Sequence, residues 1–244
     1  MKNIAKKLIN TLGFTLARKP KTPPNFDDGF LALYEKCRPF TMTSIERMHA
    51  LYQSVRYVVA NRIPGVLVEC GVWKGGSCML IAHTLLQLGV TDRRILLYDT
   101  FEGMSEPTDL DRTAAGSHAW DRWEVTKQGS EWCSAGLDEV KANMRSTGLP
   151  ETQIQYIQGK VEETLPGSLA EAIAILRLDT DWYESTKAEM EILYPRLSRH
   201  GILILDDYGH WEGTKAAVDE YFRRTGEAPF LQRVDHAGRI AVKI

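Results

Sequence analysis

The chain has 244 residues, with 30 Lys and Arg against 32 Asp and Glu, and a formal net charge of -2. Hydrophobic residues make up 43% and charged residues 25%, the balance of a globular chain long enough for one large core. This excludes a disordered chain and a basic field for nucleic acid, and no apolar run approaches the roughly 20 residues of a membrane span. The cysteines Cys37, Cys70, Cys78 and Cys133 show neither CxxC spacing nor a histidine pair to complete a zinc pattern. A reducing, cytoplasmic compartment is therefore expected.

Residues 1–24 carry Lys2, Lys6, Lys7, Arg18, Lys19 and Lys21 and no acid. Polar residues interrupt the stretch too often for a signal peptide. It reads as a basic amphipathic arm, either a surface helix or an arm for a homo-oligomer such as a dimer. Pro-Lys-Thr-Pro-Pro at 20–24 is a stiff linker, and arm and linker together take residues 1–40. The remaining domain, 41–244, opens with a helix from Thr43 to about Asn61, capped by Ser44 and stopped by Ile63-Pro64-Gly65.

Strands and helices then alternate. Strands are expected at 66–70, 94–99, 154–158, 172–179 and 201–206, with helices at 77–88, 137–147, 185–193 and 214–224. Residues 230–234 and 239–244 form a final hairpin turning at His236-Ala237-Gly238. The expectation is an α/β fold: a doubly wound, mostly parallel, Rossmann-like sheet of seven strands with an antiparallel end hairpin and an N-terminal helical extension. Residues 104–130 lack periodicity and would form a lid, with His118, Trp120 and Trp123 as flat surface for an acceptor.

Ligands of such sheets bind at the carboxyl ends of the strands. Here those ends are acidic: Glu69, Asp99, Asp179 with Asp181, and Asp206-Asp207. The loop Gly71-Val72-Trp73-Lys74-Gly75-Gly76-Ser77 lets a ligand approach the backbone, and its helix offers free N–H donors. Asp99 is placed to accept ribose hydroxyls. Trp73 breaks the GxGxxG pattern of a dinucleotide site, and Glu69 would repel a pyrophosphate. S-adenosylmethionine (SAM) has no pyrophosphate and carries an ammonium and a sulfonium, so acidic strand ends suit it. Asp179, Asp206 and Asp207 converge at adjacent strand ends, where three carboxylates stay ionised together only around a cation such as Mg²⁺. The alternative for Asp206-Asp207 is a pair of Asx-turns.

The blocks at 41–44, 69–77, 98–103, 177–186, 205–209 and 217–221 resemble the macrocin O-methyltransferase family. The resemblance implies a SAM- and Mg²⁺-dependent enzyme that methylates a sugar or phenol hydroxyl of a small natural product, as in antibiotic biosynthesis. It places Glu69, Gly71 and Ser77 at the methionine part of SAM, with Thr41 and Ser44 reaching it, and counts Asp179 among the cofactor-binding residues. It places Asp99 at the ribose, Thr100 and Phe101 near the adenosine, and Gln158 and Gly159 at the adenine. Asp179, Asp206 and Asp207 match its metal ligands.

The hydroxyl must lose a proton before it can attack the sulfonium methyl. Asp181 is the first candidate base, with a helix N-cap as its alternative role, and His210 is the second. Two other classes remain open at this point: a nicotinamide-dependent sugar oxidoreductase and a non-catalytic SAM-binding partner protein.

Overall fold

The computed structural model describes residues 26–127, 129, 131–167 and 171–244. The basic arm at 1–24 lies outside these residues. Seven strands are present: β1 (Val66–Cys70), β2 (Ile95–Asp99), β3 (Ile154–Gln158), β4 (Ile173–Leu178), β5 (Leu197–Leu205), β6 (Gln232–Arg233) and β7 (Arg239–Val242). The helices are α1 (Asp28–Cys37), α2 (Ile45–Ala60), α3 (Gly76–Gln87), α4 (Ala119–Val125), α5 (Leu137–Arg145), α6 (Val161–Thr164), α7 (Tyr183–Ile192) and α8 (Glu212–Thr225).

The sheet order is β3-β2-β1-β4-β5-β7-β6. The first five strands run parallel, and β7 pairs antiparallel with both β5 and β6. Every residue of β1 and β4 is buried, which is why both read as apolar runs broken only by Glu69 and Arg177. The chain winds outward from β1 on one side and restarts at β4 on the other. The switch point therefore lies between β1 and β4, where a ligand crevice is expected.

One core layer packs α1, α2, α3 and α5 against the sheet, through Phe30, Met48, Leu51, Leu80 and Met144. The opposite layer is built by α7 and α8, through Met190, Val218 and Phe222. A third cluster, Trp132, Trp182 and Trp211, sits among loops and helix starts beyond the strand ends.

Helix α1 corrects the linker reading for residues 28–40. Asp27 caps it by accepting from Phe30 N at 2.9 Å, and Phe30, Leu33 and Cys37 are buried. Apolar residues at 30, 33, 34 and 37 carry the helical period, so the signal was in the sequence. β5 starts four residues earlier than expected, and α4 and α6 were not foreseen.

Residues 105–114 of the segment expected as a lid are anchored to neighbouring elements. Asp111 is fully buried and accepts from Thr108 N, Thr108 Oγ1 and Tyr183 N at 2.6, 2.9 and 2.8 Å. Trp182 Nε1 donates to the Ser105 carbonyl at 3.0 Å, and Ala114 N to the His210 carbonyl at 2.8 Å.

Candidate functional site

A cavity of about 240 Å³ opens at the carboxyl ends of β1, β4 and β5. The glycine loop forms one wall. Asp99 organises that loop: Oδ2 accepts from Val72 N and Trp73 N at 2.5 and 3.1 Å, and Oδ1 from Phe101 N at 2.6 Å. Burial raises the Asp99 carboxyl and these backbone donors oppose it. Oδ1 also accepts from Thr100 Oγ1 at 3.4 Å, so both oxygens are engaged in shaping the loop.

Two of the loop glycines serve the chain itself. A Cβ on Gly71 would lie 2.0 Å from the Asp179 carbonyl oxygen, so this glycine lets the β1 and β4 ends close together. A Cβ on Gly76 would lie 2.6 Å from the Phe40 carbonyl oxygen, where the entry to α2 crosses the start of α3. Trp73, Phe101 and Asp181 hold positive φ angles of 46, 54 and 70° around the same crevice. Side chains other than glycine rarely adopt such angles, and they concentrate at functional sites.

Beneath the cavity lies a buried ion network. Arg177 on β4 is 2% exposed. It donates to Glu69 at 2.6 Å, Asp179 at 2.8 Å and Asp206 at 2.6 Å. Burial works against its charge, but these three carboxylates more than offset that and keep it protonated. Glu69 is therefore no solvated strand terminus: it is buried, and its second oxygen accepts from Cys78 Sγ at 2.9 Å.

Arg47 on α2 binds the other side of Asp206 and also Asp235, the latter at 3.0 Å. Thr43 Oγ1 donates to both Asp206 oxygens, at 3.1 and 3.2 Å. Asp206 is thus held by two guanidiniums and a hydroxyl. Of the expected set of Asp179, Asp206 and Asp207, Asp206 is paired with the two guanidiniums, and Asp181 stands beside the other two. Carboxylate oxygens of Asp179, Asp181 and Asp207 all lie within 4.8 Å of one another.

Burial pushes the carboxyls of Asp179 and Asp207 well up; repulsion from Asp206 and Asp207 adds to it at Asp179, and repulsion from Asp181 and Asp206 at Asp207. Asp181 is pushed up to about 7, by burial first. Asp207 Oδ2 is buried with no hydrogen-bond partner. Clustered oxygen donors, one of them orphaned, fit a hard divalent cation.

Asp181 does not cap α7. Asp111 takes that N–H at Tyr183, and Asp181 instead lines the cavity, its carbonyl fixed by Thr214 Oγ1 at 2.5 Å. His210 lines the cavity too, and burial followed by His236, Arg47 and Arg122 lowers its pKa. Thr41, Glu69, Gly71, Ser77, Asp99, Asp179, Asp206 and Asp207 also line it. Ser44 does not: it caps α2 and donates to Asp235 at 2.6 Å. Thr100, Gln158 and Gly159 border an adjoining recess, while Phe101 is buried behind it.

The aromatic wall differs from the expected one. Trp132 and Trp211 line the cavity, with Arg122 stacked over Trp132 at 4.3 Å. His118 and Trp120 do not line it, and Trp123 borders the recess. Trp132 and Trp211 stand outside the lid segment in sequence, so no local pattern marked them.

The sequence model described as macrocin-O-methyltransferase (TylF) matches residues 35–241. The chain belongs to the macrocin O-methyltransferase family. As a member it is an O-methyltransferase, with SAM as the methyl donor of its family.

Among relatives of this macrocin O-methyltransferase family member, one is 8-demethyl-8-(2,3-dimethoxy-alpha-L-rhamnosyl)-tetracenomycin-C 4'-O-methyltransferase of Streptomyces olivaceus. It is 37% identical over 81% of this chain and 73% of its own length. Demethyldecarbamoylnovobiocin O-methyltransferase of Streptomyces niveus is 34% identical over 95% of this chain and 89% of its own. The solved structure of the O-methyltransferase NovP superposes with a TM-score of 0.73 at 34% identity, covering 84% of this chain and 82% of that one. The Rossmann-like methyltransferase fold is therefore the observed one, and the nicotinamide and non-catalytic readings fall away.

Proposed function

We propose that this enzyme transfers the SAM methyl group to a hydroxyl of a small natural product, with a divalent cation held at Asp179, Asp181 and Asp207. The observation that carries the cation is the buried, unpartnered Asp207 oxygen among three carboxylates at the mouth of the cofactor crevice. Six carboxylates, Glu69, Asp179, Asp181, Asp206, Asp207 and Asp235, face the guanidiniums of Arg47 and Arg177, with Arg122 adding its charge near Asp181. When bound, a divalent cation lowers the pKa of a coordinated hydroxyl and fixes its orientation.

The chain's own residues do the rest. Asp99 and the loop at 71–77 hold the nucleoside end of SAM. Glu69 and Asp179 supply negative charge where the ammonium and sulfonium would lie. Asp181, turned into the cavity by its left-handed backbone, would take the proton from the acceptor hydroxyl on the carboxylate oxygen it does not offer to the cation. His210 stands at the same cavity as the second proton acceptor. Trp132, Trp211 and Arg122 wall the acceptor side and exclude water. Holding donor and acceptor at attack distance supplies roughly 7–11 kcal/mol.

A sugar hydroxyl is the acceptor class we favour, because the name of the tetracenomycin relative carries a rhamnosyl group. Four free thiols suit work in the cytoplasm. Among the described residues no helix is long and apolar enough to cross a membrane.

The test is turnover of SAM with glycosylated polyketide acceptors, with Mg²⁺ and with EDTA. Product formed with Mg²⁺, lost in EDTA and restored by added metal is the expected result. Turnover undiminished in EDTA would remove the cation from the mechanism. Asp181→Asn should abolish the rise of rate with pH, while a retained profile would pass the role to His210.

A further inference from the structure

Arg47 and Arg122 both line the cavity and are used differently. Arg47 pairs with Asp206 and Asp235. Arg122 comes from α4, and among the described residues no carboxylate lies within ion-pair distance of its guanidinium. That group instead lies over the Trp132 ring, 4.3 Å from the centroid. Stacking takes one face of a guanidinium and leaves its in-plane N–H donors unclaimed. The shelf beneath is fixed. Trp132 is buried and packs edge-on against Trp182, with ring centroids 5.5 Å apart, and Trp182 is itself tied to the Ser105 carbonyl. The start of α4 is fixed as well, because Ala119 N donates to the carbonyl of buried Asp111 at 2.9 Å. Arg122 itself is exposed. A cation is thus held in place at the rim of the cavity with its donors unspent.

We propose that Arg122 recognises an anionic oxygen group on the acceptor, a carboxylate or a phosphate ester, and so decides which end of that molecule enters. The planar fork of N–H donors fits two oxygens of either group at once. The deeper wall of the cavity is acidic, with Glu69, Asp179, Asp181, Asp206 and Asp207. Such a wall repels an anion and admits a neutral hydroxyl. An acceptor that carries both groups is therefore sorted by charge: the anion stays at the rim on Arg122, and the hydroxyl turns inward. A sugar acid or a phosphorylated sugar carries both. This inference deepens the acceptor reading above and rests on it.

The experiment is calorimetry on the full chain saturated with S-adenosylhomocysteine. The probes are phenyl β-D-glucoside, phenyl β-D-glucuronide and the 6-phosphate of the glucoside. The wild type should bind the two anions about tenfold more tightly than the neutral probe, the scale of a charge-assisted hydrogen bond. The tighter of the two identifies carboxylate or phosphate as the group recognised. Arg122→Gln should bind all three probes alike, with S-adenosylhomocysteine affinity unchanged, and Arg122→Lys should keep only part of the preference. A merely structural Arg122 would lower the melting temperature and weaken the three probes equally, and that result overturns the proposal. So does an anion preference that survives in Arg122→Gln, or a wild type that binds none of the probes or all of them alike. Should Arg122→Gln fail to fold, salt decides on the wild type. The preference should shrink between about 0.05 and about 0.5 M NaCl, because a charge at the rim is screened, and an unchanged preference overturns the proposal. Anion preference in an enzyme that methylates no hydroxyl would sink the reaction proposed above and leave the role of Arg122 standing. Methyl transfer to neutral sugars with no anion preference would sink this inference alone.

Discussion

The half of the site proposed for the cofactor and the half proposed for the acceptor are built in different ways. On the cofactor side, Asp99 ends one strand and closes onto the loop that ends the neighbouring strand, through Val72 and Trp73. On the acceptor side, Asp111 reaches across 72 residues to cap α7, and Arg47 reaches across 159 to bind Asp206. Adjacent strand ends signal themselves in sequence, because the parallel sheet brings them together by rule. Caps and ion pairs supplied from distant loops carry no such rule.

Arg177 joins the halves, since it binds Glu69 on one side and Asp206 on the other. Arg177→Met should break both at once. It leaves buried carboxylates uncompensated, and such a loss costs about 3–5 kcal/mol. Urea unfolding should show this drop, and S-adenosylhomocysteine binding should fall with it. A variant within about 1 kcal/mol of wild type would mean that the network is not held by this guanidinium.

The halves should also separate. Asp99→Asn removes the charge from three backbone hydrogen bonds, each worth about 1.5–3 kcal/mol to a charged group. S-adenosylhomocysteine affinity should drop tenfold or more by calorimetry, with the Trp132–Trp182–Trp211 cluster undisturbed in its fluorescence. Asp111→Ala should do the converse. Loss of the cap and of the Thr108 contacts should cost about 1–2 kcal/mol, change the tryptophan fluorescence and leave S-adenosylhomocysteine affinity within twofold. If Asp111→Ala weakens the cofactor as much as Asp99→Asn does, the two halves are one unit and the comparison fails.

The same division explains what the sequence revealed. All seven strands, the mostly parallel sheet and the acidic strand ends followed from apolar runs and turn residues. Asp181 and Asp207 were visible as strand-end acids. That Arg47 would pair with Asp206 was not, because nothing local to Ile45–Ala60 distinguishes Arg47 from Arg56 on the same helix. Asp181 looked like a cap because it precedes a helix, yet the helix N–H was already claimed by Asp111. Trp132 and Trp211 lie beside unremarkable neighbours, and only the packing around Trp182 selects them over Trp120.

The smallest effect concerns the turn that Arg47 reaches. Asp235 accepts from Ser44 Oγ at 2.6 Å, Ala237 N at 2.9 Å and Gly238 N at 2.7 Å. Burial would raise its carboxyl, but Ser44, the Gly238 N–H and Arg47 together hold it at about 2. A carboxyl depressed in the folded state binds its proton less readily than in the unfolded chain. Its contribution to stability is therefore complete above the ordinary aspartate range and is lost as pH falls through about 4 towards about 2. Asp235→Asn should unfold about 1 kcal/mol more easily at pH 7, the size of a hydrogen-bonded turn anchor. That gap should narrow between about pH 4 and pH 2, as the wild type loses what the amide never had. Denaturant midpoints of the two proteins across this range provide the check. A gap constant with pH would mean that the turn is held by its backbone alone, and that Arg47 has no second anion to hold it.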